Sequence, residues 1–393
     1  SSVWAPESLV KKSGNSVESF IRMQKKHVGM VSNPTVVGLL KACNSNTYSD
    51  SIIQGRLIHG KIIEEGREFD VYIGSILIDI YSKSQCVTDA EFVFRGLGSR
   101  KNLISWGALI NGYVRNGQEM RVFKLLDEMI QEGIQPNEPI LVSSLKACGN
   151  LGDLGKGREI HVEVERKEFL TRDCVIGTAL VEMYGKCGQY MESEELFNQL
   201  QNRDVVSWNS LITVHLNYDC GEDALTYFER MQLDDVSPNV VTFLCALKAC
   251  TNVGAIDKGQ NLHAEIERRG LLQIDIVGNA LLNMYAQCAS FTKAHQMFSK
   301  LHIRDVVSWT SLISGYAQYG NAQESLNCFR RMQEEGLEPD PISFACALKA
   351  CGTIGTTPNG VEIHAKLIKG DLIRKDIVLG TALVDMYAKC GDL

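Results

Sequence analysis

The chain has 393 residues, 45% hydrophobic and 22% charged, ordinary proportions for a folded protein rather than a disordered or fibrous one. No apolar run approaches the ~18 residues of a membrane helix, so neither a spanning segment nor a membrane partner is expected. Its 40 basic and 47 acidic side chains give a formal charge of -7, which excludes a globally basic nucleic-acid binder and confines any such site to a local groove.

Three strings recur in a fixed order and set the elements. KAC ends at Cys43, Cys148, Cys250 and Cys351, in steps of 105, 102 and 101. RDVVSW at Arg203–Trp208 returns at Arg304–Trp309, an offset of 101, and Trp106 lies 102 before Trp208. ALVEMYGKCG from Ala179 returns as ALLNMYAQC from Ala280 and ALVDMYAKCG from Ala382. Together they predict, in chain order, a degenerate unit over 1–32, then units over 33–70, 71–102, 103–137, 138–173, 174–204, 205–239, 240–274, 275–305, 306–340 and 341–376, and a truncated unit over 377–393 that stops inside the pattern.

Each unit reads as two helices. In 205–239, SWNSLITVHL is apolar at helical spacing, Gly221 interrupts it, and EDALTYFERMQ forms a second amphipathic run. Ser237, Pro238 and Asn239 then end that helix. A helix of about a dozen residues is marginal alone in water, and one hairpin cannot bury both its apolar faces. Stacking buries them, so the expected fold is all-α, an α-solenoid superhelix of helix-turn-helix repeats with a concave inner face.

The 13 cysteines include no Cys-x-x-Cys pair, so no zinc site, other metal or cofactor is expected. Cys148, Cys250 and Cys351 share one position of the first helix, and Cys187, Cys288 and Cys390 another, as packed thiols would. His161, His263 and His364 share a position that is Phe94, Phe197, Phe228, Phe298 and Phe329 elsewhere, and so read as a packing position on the second helix.

Tetratricopeptide repeats have a period of 34 with Trp, Ala, Phe and Pro placed much as Trp208, Ala224, Phe228 and Pro238 are here. The period of 35 in the regular units, the alternation down to 31, and the ending Gly336-x-x-Pro339-Asp340 fit better elsewhere. With VVSWNSLI, the KAC units and the ALVDMYAKCG units, the chain from Asn33 to Leu393 resembles the pentatricopeptide repeats of land-plant organelle proteins, in the subclass that alternates P, L and S units. The resemblance makes 1–32 a degenerate P-like unit; 103–137, 205–239 and 306–340 P units; 33–70, 138–173, 240–274 and 341–376 L units; and 71–102, 174–204, 275–305 and 377–393 S units.

The resemblance implies sequence-specific binding of single-stranded RNA, one base per repeat, that specifies a cytidine for C-to-U editing in a mitochondrial or chloroplast transcript. Editing-complex accessory proteins would be its protein partners, and any targeting segment would lie outside this chain. The deaminase of such proteins needs an H-x-E…P-C-x-x-C arrangement. His161-Val162-Glu163 and His263-Ala264-Glu265 lack the cysteine pair, so no catalytic residue and no enzyme activity is expected of these residues. The competing readings are a tetratricopeptide-like scaffold that binds protein, and an organellar RNA processing or stabilisation factor without an editing role.

By the same resemblance, the fifth and last residues of P and S units meet a base edge: Ser75 with Asn102, Thr178 with Asp204, Asn209 with Asn239, Asn279 with Asp305, and Thr310 with Asp340. These imply adenine, guanine, a pyrimidine, uracil and guanine, or A-n-n-G-Y-n-U-G read 5′ to 3′. Gly107 with Asn137 departs from the pattern, and the L units carry apolar Val142, Leu244 and Ala345, all left unread. The second residues, Tyr72, Ile104, Val175, Val206, Ile276 and Val307, would wedge between bases. Lys83, Arg115, Lys186 and Lys389, which share one late position of the first helix, would meet phosphates. A terminal Asp or Asn also suits a helix cap, which is the plainer use of that position.

Overall fold

The computed structural model describes residues 33–43, 48–64, 66, 70–171, 174–374 and 376–391; the degenerate unit expected over 1–32 lies outside them. The described residues form 21 α-helices and three short 3-10 turns, without strands. They fall into two compact units, Ser1–Asn202 and Arg203–Leu393. No helix among them is long and apolar enough to cross a membrane.

Each unit repeats one hairpin of a leading and a trailing helix. In the first, the leading helices are Asn33–Cys43, Val71–Lys83, Leu103–Arg115, Glu138–Leu151 and Cys174–Lys186. In the second they are Val205–Asn217, Val240–Val253, Asp275–Gln287, Val306–Gln318, Pro341–Ile354 and Ile377–Cys390. A capping side chain starts most of them. Asp70, Asn102, Asn137, Asp204, Asn239, Asp305, Asp340 and Asp376 all accept backbone N–H bonds from the first turn of the helix that follows. Asn102, Asn239 and Asp340 complete reciprocal boxes with Ser105, Thr242 and Ser343.

The shortest sequence period has a local cause. The trailing helices Val87–Gly96, Tyr190–Gln199 and Phe291–Lys300 have 10 residues, against 13 in Glu119–Gln131, Gly221–Leu233 and Ala322–Glu334. The KAC helices Glu138–Leu151, Val240–Val253 and Pro341–Ile354 have 14 and end on left-handed Gly152, Gly254 and Gly355, a conformation that glycine adopts without steric cost.

Within each unit, successive leading helices pack side by side, and each trailing helix packs on its own leading helix and on the next one. Trp106 and Trp309 fill the second joint, 0% and 1% exposed, edge-on to Phe94 and Phe298 at 4.8 and 4.6 Å. Emptying such a position to alanine costs about 3–5 kcal/mol. The leading helices approach so closely that a Cβ on Gly315 would stand 2.9 Å from the Ala286 carbonyl oxygen.

The cysteines and histidines take up the shared positions that the sequence pattern gives them. Cys148, Cys250 and Cys351 are fully buried, and burial pushes the first two thiols up to about 12 and the third to about 11. Cys187, Cys288 and Cys390 each donate their thiol to the carbonyl of that buried partner at 3.8 Å. The histidine position is more polar than simple packing requires. Nδ1 of His161, His263 and His364 shares a hydrogen bond with the hydroxyl of Tyr184, Tyr285 and Tyr387, at 2.9, 2.8 and 3.0 Å. Glu163 and Glu265, the other members of the H-x-E strings, bond to Arg166 and to Arg268 on their own helices.

Candidate nucleic-acid interface

Positions 2, 5, 9 and 13 of a helix lie within about one third of its circumference, because 3.6 residues make a turn. On the leading helices position 2 of this stripe is exposed and positions 9 and 13 are exposed or half-buried, while most of the position-5 side chains are buried or half-buried. Ala345, Cys346 and Lys349 of one helix and Ile377, Val378, Thr381, Ala382 and Asp385 of the next line a single open cleft of ≈ 540 Å³. Positions 5 and 9 of these two neighbouring hairpins, Ala345 and Lys349 with Thr381 and Asp385, therefore line one cleft together.

Position 2 is apolar and exposed throughout. Tyr72, Ile104, Val175, Val206, Ile276 and Val307 are each between 51% and 60% exposed, a repeated departure from hydrophobic burial that neither core nor cap explains. Val241, Ile342 and Val378 stand at the same position, 51%, 59% and 65% exposed.

Position 5 is polar in Ser75, Thr178, Asn209, Asn279 and Thr310, all buried except the half-buried Asn279. In three hairpins it is joined to the cap of the following helix. Asn209 Nδ2 donates to Asn239 Oδ1 at 3.2 Å, Asn279 Nδ2 to both oxygens of Asp305 at 3.3 Å, and Thr310 Oγ1 to Asp340 Oδ1 at 3.2 Å. Thr242 locks the first pair by donating to Asn209 Oδ1 at 2.7 Å, and Ser343 lies 3.2 Å from Thr310 Oγ1. The cap function is thus present, but it occupies only part of each carboxylate or amide.

The other two pairs differ. Ser75 donates back to the Val71 carbonyl at 2.7 Å while Asn102 caps, so the structure does not join them. Thr178 and Asp204 belong to the two different compact units. Thr178 Oγ1 and Asn279 Oδ1 are buried with no hydrogen-bond partner among the described residues, a state that costs about 1–3 kcal/mol for a lone polar atom.

The late cations are engaged. Lys83 pairs with Asp79 at 2.9 Å, Arg115 reaches the same Asp79 at 3.7 Å, Lys389 pairs with Asp385 at 2.6 Å, and Lys186 donates to Asn150 at 3.0 Å. Lys146, Lys248 and Lys349 at position 9 of the KAC helices are exposed and make no ion pair with a described residue. In the helices that follow them, position 9 is Glu182, Asn283 and Asp385.

Models of the "PPR repeat family" match residues 203–252 and 304–353, and models of the "PPR repeat" match 104–134 and 178–205. The chain carries PPR repeats. It is 32% identical over 378 residues to a pentatricopeptide repeat-containing protein of Arabidopsis thaliana, which covers 96% of this chain and 54% of that protein. A chloroplastic and a mitochondrial member from the same plant are 33% and 30% identical, each over 96% of this chain and over 46% and 41% of their own lengths. The chain thus spans about half the length of the curated relatives it matches. The crystal structure of the pentatricopeptide repeat protein PPR10 in complex with an 18-nt psaJ RNA element superposes with a TM-score of 0.67 at 15% identity, covering 97% of this chain and 59% of that one. At that identity the likeness carries the α-solenoid fold.

Two sets of PPR positions escaped the sequence reading. Val241, Ile342 and Val378 follow the same second-residue rule as the wedge positions and could have been counted from it. The lysines lay in the KAC string itself, where the cysteine drew the attention; a search for cations at one repeat position finds them.

Proposed function

We propose that the chain binds single-stranded RNA along the exposed stripe of its leading helices, with bases entering the clefts between successive hairpins. The observation that carries this reading is the exposed apolar side chain at position 2 of consecutive hairpins, beside a polar position 5 tied to a cap. Unstacked bases need a flat apolar support and a polar edge partner, and the clefts offer both. Thr178 Oγ1 and Asn279 Oδ1, without partners now, would gain them from a base edge.

In this reading Ser75/Asn102, Thr178/Asp204, Asn209/Asn239, Asn279/Asp305 and Thr310/Asp340 select bases, and the position-2 residues wedge between them. Phosphate contact comes first from Lys146, Lys248 and Lys349, which make no ion pair with a described residue, and less from Lys83, Arg115, Lys186 and Lys389. The alternating hairpin lengths support membership of the subclass with P, L and S units, bounded as the sequence pattern sets them. Specifying a cytidine for C-to-U editing in a chloroplast or mitochondrial transcript follows from that assignment; relatives named for both compartments support an organellar setting.

The test is a titration of the chain with a labelled RNA of pattern A-n-n-G-Y-n-U-G and with its scrambled counterpart. Preference for the first, weakening with salt, is the expected result. Equal affinity for both would remove the base-reading pairs, and no affinity for either would leave a protein-binding scaffold.

A further inference from the structure

The hairpins led by Leu103–Arg115, Val205–Asn217 and Val306–Gln318 share one turn. The backbone N–H of Gln118, Cys220 and Asn321 donates to the carbonyl of Tyr113, His215 and Tyr316, each at 3.0 Å. That bond fixes position 11 of the leading helix against the start of the trailing helix. The first turn of the trailing helix then brings a third side chain to the same place, Arg121, Asp223 or Glu324. The Arg121 guanidinium lies 5.8 Å from the centre of the Tyr113 ring, so the first and third of these positions face each other.

Two of the three hairpins fill this corner with Tyr, Gln and Arg, or with Tyr, Asn and Glu. The third replaces all three residues at once, with His215, Cys220 and Asp223. One ring nitrogen, the thiol sulfur and one carboxylate oxygen then lie within 4.8 Å of one another. Bonds of about 2.0–2.3 Å to one tetrahedral ion would set such atoms about 3.3–3.8 Å apart. Binding an ion would therefore draw the three atoms together from their present spacing. His215 is buried, Cys220 half-buried and Asp223 exposed, so the group is anchored at one end and open to solvent at the other.

We propose that His215, Cys220 and Asp223 form a binding site for a single zinc-type transition-metal ion. Thiolate and imidazole donors select such an ion over magnesium or calcium, and the open side leaves a fourth position for water. Binding releases the thiol proton, which the Cys220 sulfur now directs to the Tyr218 carbonyl at 3.4 Å. The ion would pin the two helices of this one hairpin together. The spacing of five and then three residues matches no familiar metal signature, which is why a search for Cys-x-x-Cys passes over it.

The test is titration of the reduced full chain with Co²⁺, following the thiolate-to-cobalt charge-transfer band, and then displacement by Zn²⁺. One ion per chain is expected. His215→Tyr, which restores the residue of the sibling hairpins, and Cys220→Ser should each weaken binding at least about tenfold with the helical circular dichroism unchanged. Absence of the band in the unaltered chain would overturn the site. So would a band that survives at equal affinity in both variants, because the ion would then be held by other thiols.

Discussion

The KAC hairpins and the hairpins between them share a backbone but present opposite chemistry to the same stripe. At position 5 the KAC helices carry Val142, Leu244 and Ala345, where their neighbours carry Thr178, Asn209, Asn279 and Thr310. At position 9 the KAC helices carry exposed unpaired lysines, where Val71–Lys83, Cys174–Lys186 and Ile377–Cys390 carry Asp79, Glu182 and Asp385. A hairpin with an apolar position 5 cannot discriminate base edges, and a lone exposed cation discriminates none either, yet it attracts every phosphate. In the proposed reading, the difference divides affinity from selectivity between alternate hairpins. In that RNA-binding reading it also offers a chain of formal charge -7 a way to hold a polyanion: Asp79 and Asp385 on the stripe are paired locally, and the lysines at position 9 of the KAC helices are not.

Removing the charges should have the largest effect. Replacing Lys146, Lys248 and Lys349 together with alanine is expected to lower RNA affinity about 100-fold at 0.1 M salt and to flatten the slope of log K against log salt by about 2, since each single-strand phosphate contact contributes about 0.7. The same triple replacement at Lys83, Arg115 and Lys389 should do less, because Lys83 and Arg115 share Asp79 and Lys389 pairs with Asp385, so two of the three charges are already offset. Equal losses in the two proteins would abolish the distinction between the hairpin classes.

The next test moves one selective hairpin toward another. Thr310→Asn reproduces, opposite Asp340, the side-chain pair that Asn279 forms with Asp305. Preference at that base should shift from guanine toward uracil, with a change of about 1–3 kcal/mol, or roughly tenfold or more in affinity. Titration against four RNAs that differ only there is the measurement. An unaltered ranking with a modest loss of stability would reduce Thr310 to a partner of the Asp340 and Ser343 cap.

Sequence periodicity carried the fold because hairpin stacking repeats the same burial: Trp106, Trp208 and Trp309 had to be core wherever one of them was. Exposed positions were legible for the same reason, since an exposed apolar residue such as Val206 recurs in register with Trp208. Hydrogen-bond direction was not legible. Ser75 and Thr310 occupy one repeat position, yet Ser75 turns to its own helix at Val71 and Thr310 reaches Asp340, a choice made by the side-chain rotamer. Charge compensation was hidden likewise, because Asp79 lies four residues before Lys83 on one helix but reaches Arg115 only through packing.

The smallest expected effect concerns the trailing helices, where three KAC hairpins carry His161, His263 and His364 and five of the hairpins between them phenylalanine, and centres on His161 and His263. Burial holds both imidazoles below their ordinary value, outweighing the opposite pull of Glu165 and of Glu267. Each is therefore neutral in the folded chain at a pH where the unfolded chain, with an ordinary value of about 6.5, has begun to bind a proton. The unfolded state then holds more protons, and stability must fall as pH drops below about 6.5. Replacing both with phenylalanine, as at Phe94 and Phe298, should cost about 1 kcal/mol per site at pH 7.5, because the hydroxyls of Tyr184 and Tyr285 lose their partners. The same change should flatten the stability profile between about pH 6.5 and 5. Carboxylates titrate alike in both proteins, so the difference between the two denaturation profiles isolates the histidines. Parallel profiles would mean that the imidazoles titrate as freely in the folded chain as in the unfolded one, and that the tyrosine bond does not distinguish the two hairpin classes.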